Sequence, residues 1–267
     1  MRQRSFAIVF IIACLHGCGS SGHSGTTCGA PTTAATPADV QTIQVAAADG
    51  VMVTIDVYAP NSATSPVIVL FHQAGYSRGE YRTIAPRLTL LGFNAMAVDA
   101  RAGEATQGVG NDTSASACAL GKPTAYLDAI ADVQAAVGEA RARFQGALIV
   151  WGSSYSSSLV LALGHDLRAD AVISFSPGEY FENEGKPSTW VAEQARSLSV
   201  PVFITSAKSE AGSWAPIAAA ITPSLVTTFV PETAGHHGSS ALWPTQPDAD
   251  AYWAALTPFL QRFAAVR

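Results

Sequence analysis

A serine-rich turn at residues 152–156 carries the strongest chemical signal in the sequence. The apolar residues 148–151 lead directly into Gly-Ser-Ser-Tyr-Ser, and a helical pattern follows. A serine hydroxyl is a weak nucleophile that needs an adjacent base and a fixed, exposed position. A sharp turn between a strand and a helix would expose Ser154 at its apex, and the helix N-terminus favours a developing negative charge. A serine-rich helix N-cap is the alternative interpretation, because serine is a favoured capping residue.

The elements that must position this turn alternate between strand and helix patterns. Residues 40–45 and 51–58 flank an Asp-Gly pair, which is a hairpin turn signal. Further strands are predicted at residues 67–71, 94–98, 147–151, 171–175, 200–205 and 225–230. Helices are predicted at residues 81–91, 124–144, 155–164, 190–198, 214–221 and 251–266. An antiparallel N-terminal hairpin followed by this alternation predicts an α/β fold, with a mostly parallel central sheet and helices on both faces.

The composition excludes several classes of protein. Apolar residues make up 48% of the 267 residues and charged residues only 13%, which is enough apolar material for a core and argues against a disordered chain. The formal net charge of −5 argues against a nucleic-acid-binding protein. The sequence has no glycine-rich phosphate motif and no metal-ligand spacing. We therefore expect no cofactor, no metal and no nucleic acid partner.

The N-terminus has the pattern of a secretory signal. Two arginines precede the apolar residues 6–15, and small residues follow. This apolar run is too short to cross a bilayer as a helix, which needs about 20 residues. The tetrapeptide Leu-His-Gly-Cys that ends at Cys18 resembles a bacterial lipobox, in which the cysteine becomes the lipidated first residue. A rival box ends at Cys14, and ordinary signal cleavage without a lipid is the other alternative.

The chain divides into three segments on this interpretation. Residues 1–17 are expected to be a lipoprotein-type signal peptide, and residues 18–38, rich in Gly, Ser, Thr, Ala and Pro, a flexible linker. Residues 39–267 are expected to form one α/β domain. The protein would then be exported, in the bacterial periplasm or anchored to a membrane, with a lipid on Cys18 as its only membrane contact.

Two cysteines remain once the N-terminal pair is assigned. Cys28 lies in the predicted linker and Cys118 before the helix predicted at residues 124–144. An exported compartment permits disulfides, so we expect these two to be bonded to each other. Two unpaired thiols are the alternative that the sequence leaves open.

The segment at residues 148–156 resembles the GxSxG nucleophile elbow of α/β-hydrolases, with Ser156 in place of the final glycine. The resemblance covers residues 51–267 and implies the α/β-hydrolase fold. A small or absent cap is expected, because only residues 178–188 separate a predicted strand from the next helix. The short layout and the loop at residues 72–75 favour the dienelactone-hydrolase-like branch. That branch often has a cysteine nucleophile, so dienelactone itself is not the expected substrate.

The resemblance implies which residues would complete a catalytic triad with Ser154. The triad acid of the family follows the strand predicted at residues 200–205, where Glu210 is the only carboxylate of the loop. Glu179, after the preceding strand, is the alternative acid. The family histidine lies after the last strand and before a glycine, which favours His237 over His236. All of these positions follow strand ends, where open α/β sheets place their sites.

The same resemblance implies an oxyanion hole and a mechanism. The backbone amides of Ala74 and Tyr155 would bind the oxyanion, and His72 would support the loop backbone. The function implied is hydrolysis of a small or medium carboxylic ester through an acyl-enzyme. The small-molecule ester is the expected partner, and the sequence does not indicate the oligomeric state. The alternatives are a non-catalytic exported binding lipoprotein on the same fold and a serine peptidase.

Overall fold

Residues 40–264 are the part of the chain that the computed structural model describes, and they form eight strands and seven α-helices. The strands are β1 (Gln41–Ala46), β2 (Met52–Tyr58), β3 (Val67–Phe71), β4 (Asn94–Val98), β5 (Leu148–Ser153), β6 (Ala171–Phe175), β7 (Val202–Thr205) and β8 (Val226–Phe229). The helices are α1 (Ala85–Leu90), α2 (Asp112–Ala119), α3 (Ile130–Arg143), α4 (Tyr155–Leu163), α5 (Trp190–Ala195), α6 (Ala211–Ala220) and α7 (Ala249–Gln261). The predicted signal peptide and linker, and residue 39 with them, lie outside the described residues.

The strands form one sheet in the order β1-β2-β4-β3-β5-β6-β7-β8. Strand β2 is antiparallel to both of its neighbours, β1 and β4, and the remaining pairs are parallel. The predicted fold class is therefore confirmed: the sheet is mostly parallel and begins with an antiparallel hairpin.

Helices cover both faces of this sheet, as the alternation along β3 illustrates. Val67, Val69 and Phe71 point into one hydrophobic core, and Ile68 and Leu70 point into the other. Helices α3 to α6 pack on the first face, and α1 and α7 on the second. Because β3 is buried on both faces, it is a continuous apolar run rather than an alternating one.

Two predicted helices begin later than the sequence pattern indicated, and one helix was not predicted. The region predicted as one helix from residue 81 is a 3-10 turn, Arg78–Tyr81, followed by α1. The region predicted from residue 124 begins with another 3-10 turn, Leu127–Ala129, before α3. Helix α2 was missed, because its buried face consists of Thr113 and Ala117 and gives no strong apolar period.

A buried arginine joins three segments near the hairpin. Arg78 is ion-paired with Asp56 of β2 (3.1 Å), with Asp112 at the start of α2 (3.0 Å) and with Asp99, just after β4. Asp99 also accepts hydrogen bonds from the backbone amides of Arg78 (2.7 Å) and Asp112 (2.9 Å). Buried charges need this degree of pairing, because an unpaired one is costly.

A second buried arginine joins the hairpin turn to α3. Arg101 Nη1 lies 2.6 Å from Asp49 Oδ2, and Nη2 lies 2.7 Å from Asp132 Oδ1. Both Asp132 oxygens accept from this one side chain, which gives the fork geometry that makes arginine–carboxylate pairs strong. The two ion-pair networks therefore fix the hairpin and its neighbouring helices beside the strand ends described next.

Candidate active site

Ser154 lies at the apex of the turn between β5 and α4. Its backbone has φ +57° and ψ −124°, a strained conformation for a non-glycine residue. Its amide donates to the carbonyl of Phe175 (2.8 Å), which holds the turn against the end of β6. Gly152 permits the sharp turn, because a Cβ there would lie 2.4 Å from backbone atoms of Ser156. The strand–turn–helix geometry expected from the sequence is therefore present.

Ser156, which stands where the family pattern has glycine, braces the same turn. Its Oγ accepts from the Ser153 amide (2.9 Å) and lies 2.8 Å from the carbonyl of Phe71 at the end of β3. The hydroxyl therefore supplies bonds that a glycine could not, and links the turn to the neighbouring strand.

The neighbouring Ser153 is committed to structural bonds. It is fully buried, and its Oγ donates to Glu80 Oε1 (2.8 Å) and accepts from the Ser239 amide (2.8 Å). Ser154 has neither of these bonds, and 8% of its surface is exposed. Of the two adjacent serines, Ser154 is the one placed to react.

His237 and Glu210 are hydrogen-bonded to each other, Nδ1 to Oε1 at 2.6 Å. The other Glu210 oxygen accepts from Ser176 Oγ (2.7 Å) and from the Ala207 amide (3.2 Å). Partial burial tends to raise the pKa of Glu210, but the hydrogen bonds from His237 and Ser176 outweigh it and hold the pKa below its ordinary value. Glu210 is therefore ionised at neutral pH and can orient the imidazole.

The loop that carries His237 packs directly on the serine turn. Gly238 has φ +70°, and a Cβ at this position would lie 2.6 Å from Ser153 Oγ and 2.3 Å from Gln73 Oε1. The Gly238 amide donates to Ser176 Oγ (2.9 Å), the hydroxyl that also donates to the acid Glu210. Glycine is thus required here both by conformation and by space.

The hydrogen bonds found among residues 40–264 do not include one between Ser154 Oγ and His237. The serine side chain instead lies beside the hydroxyl of Tyr180, which donates to the Ser176 carbonyl (2.8 Å). In unliganded enzymes the bond between nucleophile and base is often long and tightens when substrate binds. His237 has 39% of its side chain exposed, so its ring is accessible from solvent.

The two amides expected to form an oxyanion hole have no acceptor within residues 40–264. On one side of Ala74 the Gln73 amide donates to Glu80 Oε2 (2.9 Å), and on the other the Gly75 amide donates to Ala102 (3.4 Å). No acceptor within residues 40–264 serves the Ala74 amide itself. Tyr155 is the first residue of α4, where an N–H has no intrahelical partner.

His72 supports the backbone of the loop at residues 72–75, as the sequence led us to expect. Its Nδ1 lies 2.7 Å from the carbonyl of Gln73, and its Nε2 accepts from the Ala100 amide (2.9 Å). Complete burial lowers its pKa to about 4, so the ring is neutral and can accept this bond at physiological pH.

The alternative acid, Glu179, lies elsewhere and caps a helix. Its two oxygens accept from the amides of Val191 (2.8 Å) and Ala192 (2.9 Å) at the start of α5. Glu184 similarly accepts from the amides of Tyr126 (3.0 Å) and Leu127 (2.8 Å). These bonds fix the short segment between β6 and α5, where the sequence predicted a small or absent cap.

Two residues of the site gave no usable signal in the sequence. Glu80 is fully buried below the serine turn, although its sequence context resembles that of a surface helix. Ser176, with φ +57° after β6, joins the acid to the histidine loop. Only its place after a predicted strand end could have indicated it.

Of the four cysteines, only Cys118 lies within the described residues. Cys118, in α2, is disulfide-bonded, and its partner lies outside the described residues. That the partner is Cys28 stays a prediction, as does lipidation of Cys18, which also lies outside them.

Within residues 40–264, no helix is long and apolar enough to cross a membrane. The same residues contain no cluster of three or more His, Cys, Asp or Glu side chains that could hold a metal ion.

Comparison with known proteins gives similarity in structure but not in sequence. No protein-family model matches the chain, and no curated protein does. An esterase of Pyrococcus furiosus is 16% identical with a TM-score of 0.61, and the match covers 84% of this chain and 92% of that one. A dienelactone hydrolase of Anabaena variabilis is 13% identical with a TM-score of 0.60, covering 85% and 100%. An acylaminoacyl peptidase of Pyrococcus horikoshii is 14% identical with a TM-score of 0.60, covering 84% and 41%. Likeness at this level of identity establishes a shared fold.

Proposed function

We propose that this chain, which has the α/β-hydrolase fold, is a serine hydrolase of carboxylic esters in the dienelactone-hydrolase-like branch. Ser154 is the nucleophile, His237 the general base and Glu210 the acid of the triad. One observation carries the proposal: an ionised carboxylate holds Nδ1 of a histidine whose loop packs on a strained serine turn, where Ser154 keeps 8% of its surface accessible. This is the arrangement by which a serine hydroxyl is activated.

The reaction follows from the roles of these groups. Glu210 accepts a hydrogen bond from Nδ1–H, which fixes the tautomer with Nε2 of His237 unprotonated and able to take the Ser154 proton as Oγ attacks the ester carbonyl. The amides of Ala74 and Tyr155 stabilise the oxyanion. The C–O bond to the alcohol then breaks, and the alcohol leaves with the proton from His237. Water, activated by the same ring, hydrolyses the acyl-enzyme and releases the acid.

A small or medium ester is the substrate class that the site favours. The segment between β6 and α5 is short and pinned by Glu179 and Glu184, so little chain covers the cleft. Tyr126 stacks on Tyr155 with ring centroids 4.5 Å apart, and the Tyr180 hydroxyl lies beside Ser154, so aromatic side chains lie around the proposed nucleophile. Aromatic surroundings with few polar groups suit compact acyl chains.

The test is active-site labelling and ester hydrolysis by the full-length protein. We expect a fluorophosphonate to label wild type at Ser154, and short-chain p-nitrophenyl esters to be cleaved faster than long ones. Ser154→Ala should lower kcat at least ~10⁴-fold while folding normally. The matched control is Ser197→Ala, at an exposed serine after α5, which should behave as wild type.

Three outcomes would contradict the proposal in different ways. No labelling of folded wild type would favour a binding protein on the same fold. Faster cleavage of an acylaminoacyl p-nitroanilide than of any ester would favour a peptidase. Loss of labelling in Ser153→Ala, with Ser154→Ala unaffected, would move the nucleophile by one residue.

A further inference from the structure

Glu80 is a buried carboxyl group at the meeting point of the three loops that form the site. It lies in the 3-10 turn Arg78–Tyr81 and has no exposed surface. Burying a carboxyl group is unfavourable unless its oxygens accept hydrogen bonds. Packing alone does not explain a glutamate at this buried position.

Each oxygen of this carboxyl group holds a different loop. Oε2 accepts from the Gln73 amide (2.9 Å), one residue before the Ala74 amide of the oxyanion loop. Oε1 accepts from Ser153 Oγ (2.8 Å), one residue before Ser154. Both contacts are therefore adjacent in sequence to a group that the proposed reaction uses.

The third loop is joined through Ser153. The Ser153 hydroxyl, while donating to Glu80, accepts from the Ser239 amide (2.8 Å) in the loop of His237. The Ser240 amide also faces the Glu80 carboxylate. The Glu80 backbone carbonyl in turn accepts from Trp243 Nε1 (2.8 Å) at the far end of that loop.

We propose that Glu80 is a positioning residue, which sets the oxyanion amide, the nucleophile and the base in one geometry through these bonds. The inference rests on the proposed function, because it concerns the same site. Displacement of a reacting group by 1 Å can cost about 10²-fold in rate. A single group that fixes all three loops therefore acts on kcat rather than on substrate binding.

The ionised form of Glu80 is the one that fits its partners. The Gln73 and Ser240 amides can only donate, and the Ser153 hydroxyl donates as well. A proton on the carboxyl group would displace a donor or reverse the Ser153 hydroxyl. Burial raises the pKa of Glu80 to about 7. The titratable groups that face it are His237 and the tyrosines at 76, 81 and 155, of which the tyrosines stay neutral at this pH.

This protonation predicts an unusual pH profile. As pH falls below about 7, wild type should lose activity through protonation of Glu80, so the acid limb of log kcat/KM should be steeper than in a variant that lacks this carboxyl group. Glu80→Gln keeps the shape but places a donor opposite Ser153, so it mimics the protonated form. We expect its kcat at pH 8 to be ~10²-fold lower, with KM within about threefold, and its acid limb to be shallower than that of wild type.

Stability separates positioning from a purely structural role. A pKa raised on folding means that the ionised carboxyl group destabilises the folded state. The contribution of the protonated Glu80 to the free energy of unfolding is therefore lost as pH rises through about 7. Glu80→Gln, which cannot ionise, should therefore be at least as stable as wild type at pH 8 in urea unfolding, although it is less active. Glu193→Gln, at an exposed glutamate of α5, is the matched control and should keep the wild-type profile.

A second variant keeps the inference testable if Glu80→Gln does not fold. Ser153→Ala removes the bond from Ser153 Oγ to Glu80 and with it the link to Ser239, while the Gln73 amide stays bonded to Glu80. It should lower kcat about tenfold while retaining the steeper acid limb of wild type. If the variants that fold have the kcat of wild type, and Glu80→Gln also has its acid limb, Glu80 is not a positioning residue. Fluorophosphonate labelling of Ser154 would in that case leave the proposed function intact. Absence of labelling in wild type would overturn both.

Discussion

The positive φ of Ser154 separates it from its neighbours Ser153 and Ser156, and only Ser176, after β6, shares it among the described serines. Such a conformation costs on the order of 1–3 kcal/mol and persists only where the surroundings impose it. Here the Phe175 carbonyl, the Ser156 hydroxyl and the missing side chain of Gly152 impose it together. The strain therefore belongs to the turn as a whole, and its result is a hydroxyl directed out of the sheet.

The adjacent histidines give a residue-scale prediction. His237→Ala should match Ser154→Ala, with a loss of about 10⁴-fold in kcat, because members of a triad act as one unit. His236→Ala should cost less than about tenfold. The His236 amide, which the substitution keeps, donates to the Tyr252 hydroxyl (3.2 Å), and its ring has no bond to Glu210. Steady-state hydrolysis of p-nitrophenyl acetate measures both. An inactive His236→Ala beside an active His237→Ala would reassign the base.

The sequence indicated the residues of the site that stand in a recognisable local pattern. Ser154 follows an apolar strand and precedes a helix, and Glu210 and His237 follow later strands, so each could be named in advance. Glu80 could not, because nothing in Arg78-Gly79-Glu80-Tyr81 indicates that this turn folds under β5. Burial of one polar residue depends on contacts 73 residues apart in sequence, which local patterns do not contain.

At the scale of elements, strands were easier to predict than helix boundaries. The apolar runs at residues 67–71 and 171–175 coincide with β3 and β6, because strands buried on both faces are nearly continuous apolar runs, interrupted here only by Ser174. Helix α2 was missed, since alanine, serine and threonine give little apolar period. Its start is fixed by the Asn111 side chain, which accepts from the Ser114 amide (2.8 Å).

The two acids considered for the triad give an element-scale prediction, because they serve different elements. Glu179→Gln should leave kcat within about threefold but lower stability by about 1 kcal/mol, since both oxygens of the Glu179 side chain accept from amides at the start of α5. Glu210→Gln should lower kcat by about 10³–10⁴-fold, because the imidazole loses its negative partner. Urea unfolding and ester hydrolysis of the two variants test this together. The opposite pattern would make Glu179 the acid.

At the scale of the whole molecule, the disulfide of Cys118 would tie the N-terminal segment to the domain. Helix α2 is bonded to β2 through Ser116, whose Oγ accepts from the Met52 amide (2.9 Å), so a bridge there reaches the sheet. We predict that Cys28 is the partner. A loop of about 90 residues closed in this way contributes up to ~4.5 kcal/mol in the chain-entropy model.

A mutant cycle measures this bridge. Cys28→Ser and Cys118→Ser should lower the free energy of unfolding equally, and the double variant should lose no more than either one. Mass spectrometry of unreduced peptides should find the two cysteines linked. A free thiol at Cys28, with Cys118 bonded to another cysteine, would contradict the pairing.

The ion pairs of Arg78 and Arg101 also bear on how the chain reaches this structure. Their carboxylate partners lie on β2, the hairpin turn, the end of β4, α2 and α3, so neither arginine is neutralised until these segments have docked together. A collapsed chain with the hairpin in the wrong place would bury a guanidinium without its partners, which costs several kcal/mol. Hydrophobic contacts alone would tolerate such misplacement. We therefore expect these charges to disfavour compact but misdocked arrangements of the N-terminal half during folding.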